Sequence, residues 1–138
     1  MRSVVDIGSK LYTAVYNLLN NMVVNKITVP VIAAYGGVVN NLPAWVSISQ
    51  VSQRPRSNKV SVGYEVSLLI ECWIKGDDYL QLTDITNEVL NRMYNADEIT
   101  IDNLTAYVVG EPTIDEMIDD EDNSVMMRKL IRINMLIE

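Results

Sequence analysis

Between Lys59 and Lys75 the chain alternates: Val60, Val62, Tyr64, Val66, Leu68, Ile70, Cys72 and Ile74 take every second position, with Ser61, Gly63, Glu65, Ser67, Leu69, Glu71 and Trp73 between them. Side chains of a strand point to opposite faces in turn, so only a strand gathers the first set on one side. At 3.3 Å per residue the segment runs roughly 50 Å, beyond the usual length of about five or six residues for a globular strand. Part of it is therefore expected to leave the body of the domain.

The other segments are read around this strand. From Asp6 to Met22, the residues Ile7, Leu11, Val15, Leu18, Leu19 and Met22 form one helical stripe, with Asp6 near the positive end of the helix dipole. Tyr12 and Tyr16 flank the stripe as rim packing. Ile27 to Tyr35 is β-rich but contains Pro30, which predicts an edge strand or lead-in pairing mainly after the proline. Ala44 to Gln53 is a second strand, and Gln53 to Lys59, rich in turn formers, is the tip of an extended hairpin. Asp78 is an N-cap with Gln81 at capping-box spacing, and Leu80, Ile85, Val89, Leu90 and Met93 continue a second helix to about Tyr94. A strand from Leu104 to Val109 ends at Gly110 and Pro112, and Val125 to Ile137 alternates again as a closing strand that pairs on both sides. The expected fold is α+β in a single domain over residues 1–138. It is a mostly antiparallel four- to five-stranded sheet with two helices on one face and a long protruding β-hairpin.

Composition excludes several function classes. One cysteine and no histidine remove an intrachain disulfide, thiolate zinc clusters and histidine-dependent nucleophilic catalysis. Cys72 shares a face with Ile70 and Ile74 and reads as a small buried hydrophobe. A net charge of −7, from 18 acidic and 11 basic residues, argues against sequence-independent binding to a phosphate backbone. Apolar runs such as Val29 to Tyr35 are too short to span a bilayer, and no secretory signal is read in the first residues, so a cytoplasmic location without membrane contact is expected.

Charge placement supplies the candidate site. Arg54, Arg56 and Lys59 lie at the hairpin tip, while Glu111 to Asp122 holds seven of the 18 acidic residues. Basic residues Arg54, Arg56 and Lys59 on one connection, and acidic residues Asp119, Asp120, Glu121 and Asp122 on another, suit a head-to-tail contact between copies. An EF-hand starting at Asp115 fails, because position six is Asp120 and position twelve is Met126. No Gly-rich phosphate loop and no G-x-S-x-G elbow are present. No catalytic residue, metal ligand or cofactor is assigned. A metal-dependent nuclease using Glu65, Glu71 and Asp102 is one alternative, and a dimeric binding module offering the long strand as an edge is another.

The order of elements resembles the tail terminator or tail completion proteins of tailed bacteriophages. The resemblance is carried by the helix Asp6 to Met22, Val29-Pro30-Val31 and the Leu42-Pro43-Ala44-Trp45-Val46 lead-in to a strand. The long strand ending Glu71-Cys72-Trp73-Ile74, the helix Tyr79 to Tyr94 directly after it and the late pair of strands complete it. It spans nearly the whole chain, apart from the acidic run Asp115 to Asp122, which is not a feature of the family. It implies a subunit that closes into a homo-oligomeric ring, typically a hexamer, at the head-tail junction of the virion. There it stops tube growth and joins the tail to other neck and tail proteins, with genomic DNA only as passing cargo. A connector, stopper or other neck ring has the same appearance in sequence.

Overall fold

The computed structural model describes residues 6–32, 42–57, 62–96, 99–121 and 124–138. In chain order the elements are α1 (Gly8–Leu19), β1 (Met22–Val24), β2 (Ile27–Val29), β3 (Ala44–Ser57), β4 (Val62–Lys75), α2 (Tyr79–Tyr94), β5 (Ile99–Ile101), β6 (Leu104–Glu121) and β7 (Ser124–Ile137). β1 and β2 form a small hairpin; the remaining strands form one antiparallel sheet in the order β3-β4-β7-β6-β5. The fold is α+β, as expected, with more strands than the sequence pattern reveals.

α1 is shorter than its apolar stripe. Leu11, Val15 and Leu19 are its buried residues, and the backbone turns extended at Asn20. The Asn20 side-chain carbonyl accepts from the Val31 amide at 2.9 Å, tying the helix end to the next segment. Met22 to Val24, read as the helix end and beyond, instead pair with Ile27–Val29 through a two-residue loop, Asn25-Lys26. Both loop residues have positive φ, 50° and 70°, the conformation whose twist matches flanking strands. The pairing of β2 thus precedes Pro30 rather than following it. After the proline, Val31 makes a single parallel bridge to Val46; residues 33–35 of the expected strand lie outside the described residues.

α2 begins where its cap residue places it. The Asp78 carboxylate accepts from the Gln81 amide at 3.1 Å. Gln81 does not complete a capping box: its side-chain amide donates to the Val24 carbonyl at 3.1 Å and its carbonyl accepts from Asn25, fixing the β1–β2 hairpin to the helix.

The core lies between the helices and one face of the sheet. β4 contributes Tyr64, Val66, Leu68, Ile70, Cys72 and Ile74, and β7 contributes Met127, Ile131, Ile133, Met135 and Ile137. Against them pack Leu11, Val15 and Leu19 of α1 and Leu82, Ile85, Val89 and Met93 of α2. Each such side chain contributes about 1.5–3 kcal/mol by leaving water. Cys72 is fully buried, and burial pushes its thiol up to about 12, so it stays neutral and unreactive. α2 lies over β4 and β7, whereas α1 touches β3 and β5, which are opposite margins of the sheet. The sheet is therefore curled around α1. Register shifts at Gln50/Ser52 on β3 and Val109/Thr113 on β6 supply the extra twist.

Three expectations about the strands are corrected. The long strand is interior, paired with both β3 and β7 from Tyr64 to Ile74, and among its described residues only Gly63 and Val62 extend past the end of β7. It is not an edge available to a partner; β3 and β6 are the long outer strands. The segment Gln53 to Ser57 is strand, not tip, because β3 is an edge and tolerates a proline at position 55. The acidic segment is likewise not a loop. β6 continues past Gly110, which takes φ +72° at the bulge, and past Pro112 to Glu121.

Candidate functional site

The bulge on β3 decides where its arginines point. Before it, Val46 and Ile48 face the core; after it, the parity reverses, and Ser52, Arg54 and Arg56 pair with Ser67, Glu65 and Gly63 on the face away from the helices. On this open face, Ser52, Arg54, Arg56, Glu65, Ser67, Val109, Asn134 and Leu136 line a cleft of about 400 Å³. Its floor is held by the Ser67 hydroxyl donating to the Asn134 side-chain carbonyl at 2.9 Å. Arg54 faces Glu65 at 3.6 Å, with side chains 77% and 52% exposed. Such a pair is worth at most about 1 kcal/mol. Arg56 and Arg132, the latter one row further along the same face, have no ion-pair partner among the described residues. Lys59, the third expected basic residue, lies outside the described residues.

The acidic run occupies the opposite end of the opposite margin. Asp119 pairs with Met126, which is level with Lys75 on β4; Asp120 pairs with Val125 and Glu121 with Ser124. Asp122 lies outside the described residues. From the Arg54–Glu65 row to the Lys75–Asp119 row is about 33 Å along the strands at 3.3 Å per residue. Register alternation puts Asp115, Met117 and Asp119 on the open face with Arg132 and Leu130, and Ile114, Glu116 and Ile118 on the helix side. Asp115 and Asp119 have no ion-pair partner among the described residues. Ile118, 65% exposed, and the half-exposed Ile114 and Met117 make the same strand apolar as well as acidic. The structure thus separates the expected basic and acidic residues of one molecule instead of joining them.

Two constellations escaped the sequence pattern. On the helix side, Lys129 occupies a core position of β7 and is almost fully buried. Its ammonium donates to Glu116 at 3.1 Å and to the Tyr79 hydroxyl at 3.3 Å, and lies over the Tyr79 ring; Tyr79 also donates to Glu116. The Glu116 carboxyl is held below its ordinary value by the hydrogen bond from Tyr79 and then by Lys129. Burial lowers the affinity of Lys129 for its proton, but hydrogen bonds to Glu116 and Tyr79 outweigh it, so its value is raised and the charge is kept. This clamp ties the start of α2 to β6 and β7. On the open face, Trp45 stacks on Trp73 with centroids 5.7 Å apart, and Arg128 lies 4.7 Å over Trp73 while pairing with Glu71 at 3.1 Å. Arg128 also reaches the Met117 sulfur at 3.0 Å, so one row staples β3, β4, β7 and β6 together.

The carboxylates considered for a nuclease are dispersed. Glu65 faces Arg54, Glu71 pairs with Arg128, and Asp102, in the β5–β6 turn, pairs with Lys10 of α1. Among the described residues no three acidic or cysteine side chains gather in a geometry that could hold a metal ion. No helix among the described residues is long and apolar enough to cross a membrane. The chain matches no protein-family model and no curated protein.

Proposed function

We propose that this chain is a structural subunit of a tailed-bacteriophage particle that assembles into a ring at the head-tail junction, as a tail terminator, tail completion or neck connector protein. It caps the tail, joins it to the neck and catalyses no reaction. The single observation that supports this function most is the unneutralised charge of one molecule. Arg56, without an ion-pair partner among the described residues, and Arg54, in only a loose pair with Glu65, lie towards one end of the sheet, and Asp119 lies towards the other on a different strand. Complementary patches that cannot meet within one molecule are met by a neighbour, and a head-to-tail contact repeated around an axis closes a ring. The resemblance in element order supplies the location and the expected six copies. A net charge of −7 suits a ring through which DNA passes without adhering. Neck and tail proteins are the other partners, and assembly takes place in the host cytoplasm.

Size-exclusion chromatography with light scattering, followed by negative-stain imaging, tests this function. Rings of about six subunits that dissociate as salt is raised are the expected result. A closed two-fold dimer, or a monomer at every concentration and salt, contradicts it.

A further inference from the structure

We propose that the cleft on the open face is the seat for the acidic strand of a second copy, with Met117 entering it and Asp115 and Asp119 meeting its arginines. The inference deepens the ring-subunit function by naming the contact, and it needs from that function only that copies associate.

The cleft's chemistry selects such an occupant. In a chain of net charge −7 it brings together Arg54 and Arg56 against one glutamate, and Arg132 lies one row beyond its lining on the same face. The Arg54–Glu65 separation of 3.6 Å exceeds hydrogen-bond range, so Glu65 leaves the guanidinium donors open to a better-placed carboxylate. Beside the arginines the lining includes Leu136, level with Arg54, and Val109, one row further along, which suits an apolar side chain rather than a bare anion. The volume, about 400 Å³, lies in the ordinary range of about 300–1,000 Å³ for binding clefts.

The acidic strand fits this layout in pitch. Asp115, Met117 and Asp119 share the open face of β6, so the two aspartates lie about 13 Å apart at 3.3 Å per residue with the methionine midway. In the cleft, the Arg54–Glu65 row and the Leu69–Arg132 row are also four residues apart on β4. The Ser67–Asn134 row lies midway between them. Charged rows therefore recur at the same spacing on both surfaces along the strand direction, and in the cleft Val109 stands at the β6 end of the polar middle row. β6 is accessible for this contact, since β5 pairs only with Leu104 to Ala106. A two-fold β6–β6 pairing is disfavoured, because centring it on Met117 would set Asp115 opposite Asp119, like charge on like charge.

Filling the cleft is the test. Ser67→Trp places a bulky side chain on the middle row, on a solvent-facing strand position where an aromatic residue is well tolerated. In equilibrium sedimentation of the full chain, Ser67→Trp and Met117→Glu should each weaken self-association at least tenfold, while circular dichroism shows a folded chain. Arg132→Glu, at an exposed position, should do the same and serves as the readout if the tryptophan prevents folding. Association equal to wild type in the folded Ser67→Trp chain, or in Arg132→Glu, overturns the cleft as the seat and leaves the ring function standing. A wild-type chain that never self-associates removes both. Loss of association confined to Arg54→Glu/Arg56→Glu would mean that the charges steer a contact made elsewhere, and it also overturns the cleft.

Discussion

The β3–β4 and β6–β7 hairpins are the two long arms of one sheet, yet their outer strands are finished differently. β3 is bordered at its start by Pro30 to Ile32, through bonds of 2.8 and 2.9 Å to Val46, and carries Pro55 further along. β6 is covered by β5 only over Leu104 to Ala106 and then runs on to Glu121 with carboxylates at Asp115, Glu116 and Asp119. A proline and a row of charges are two ways of preventing an edge from pairing indiscriminately. They leave different surfaces behind. The first edge keeps its arginines turned onto the open face; the second becomes an acidic strand interspersed with Ile114, Met117 and Ile118. Edge protection and partner recognition can thus reside in the same residues.

The two arms differ most in what they contribute to stability. Ile131 on β7 lies fully buried on the helix side of the sheet, whereas Ile118 on β6 is 65% exposed. Ile131→Ala should cost about 2–5 kcal/mol in urea unfolding, and Ile118→Ala no more than about 0.5 kcal/mol. Equal effects would mean that the β6 arm belongs to the core after all. A smaller stability effect is expected from charge reversal at the basic end: Arg54→Glu/Arg56→Glu should leave unfolding within about 0.5 kcal/mol of wild type while lowering self-association at least tenfold.

The smallest effect belongs to the clamp. Glu116 has a depressed folded value, so its contribution is complete above the unfolded carboxyl value, about 4.3, and is lost as pH falls through the folded one. Lys129 has a raised folded value, so its contribution is complete below about 10.4 and is lost as pH rises through the folded one. Glu116→Gln should therefore flatten the acid limb of the stability curve below about pH 4. An unchanged acid limb would show that the clamp contributes nothing to folding.

What the sequence reveals and what it hides follows from how each element is encoded. The β4 and β7 alternations, the Asp78 cap and the burial of Cys72 are local signals, and they predict the interior of the sheet and α2. β1 and β2 are three-residue strands, too short to display a period. The outer halves of β3 and β6 contain Pro55, Gly110 and Pro112, which read as breakers, but an edge strand or a bulge accommodates them without losing the inner ladder. Lys129 looks solvent-facing by type; only Tyr79 and Glu116, from two other elements, make its burial possible. The charged residues were legible as candidates, but the cleft was not, since β3, β4, β7 and β6 meet there in a register set by a bulge.

Head-to-tail association between the two charged ends is tested most directly by mixing complementary reversals. An Arg54→Glu/Arg56→Glu chain and an Asp115→Lys/Asp119→Lys chain should each stay monomeric in sedimentation velocity, and an equimolar mixture should recover ring-sized particles. Wild-type assembly by either variant alone, or a mixture as monomeric as its components, would contradict it.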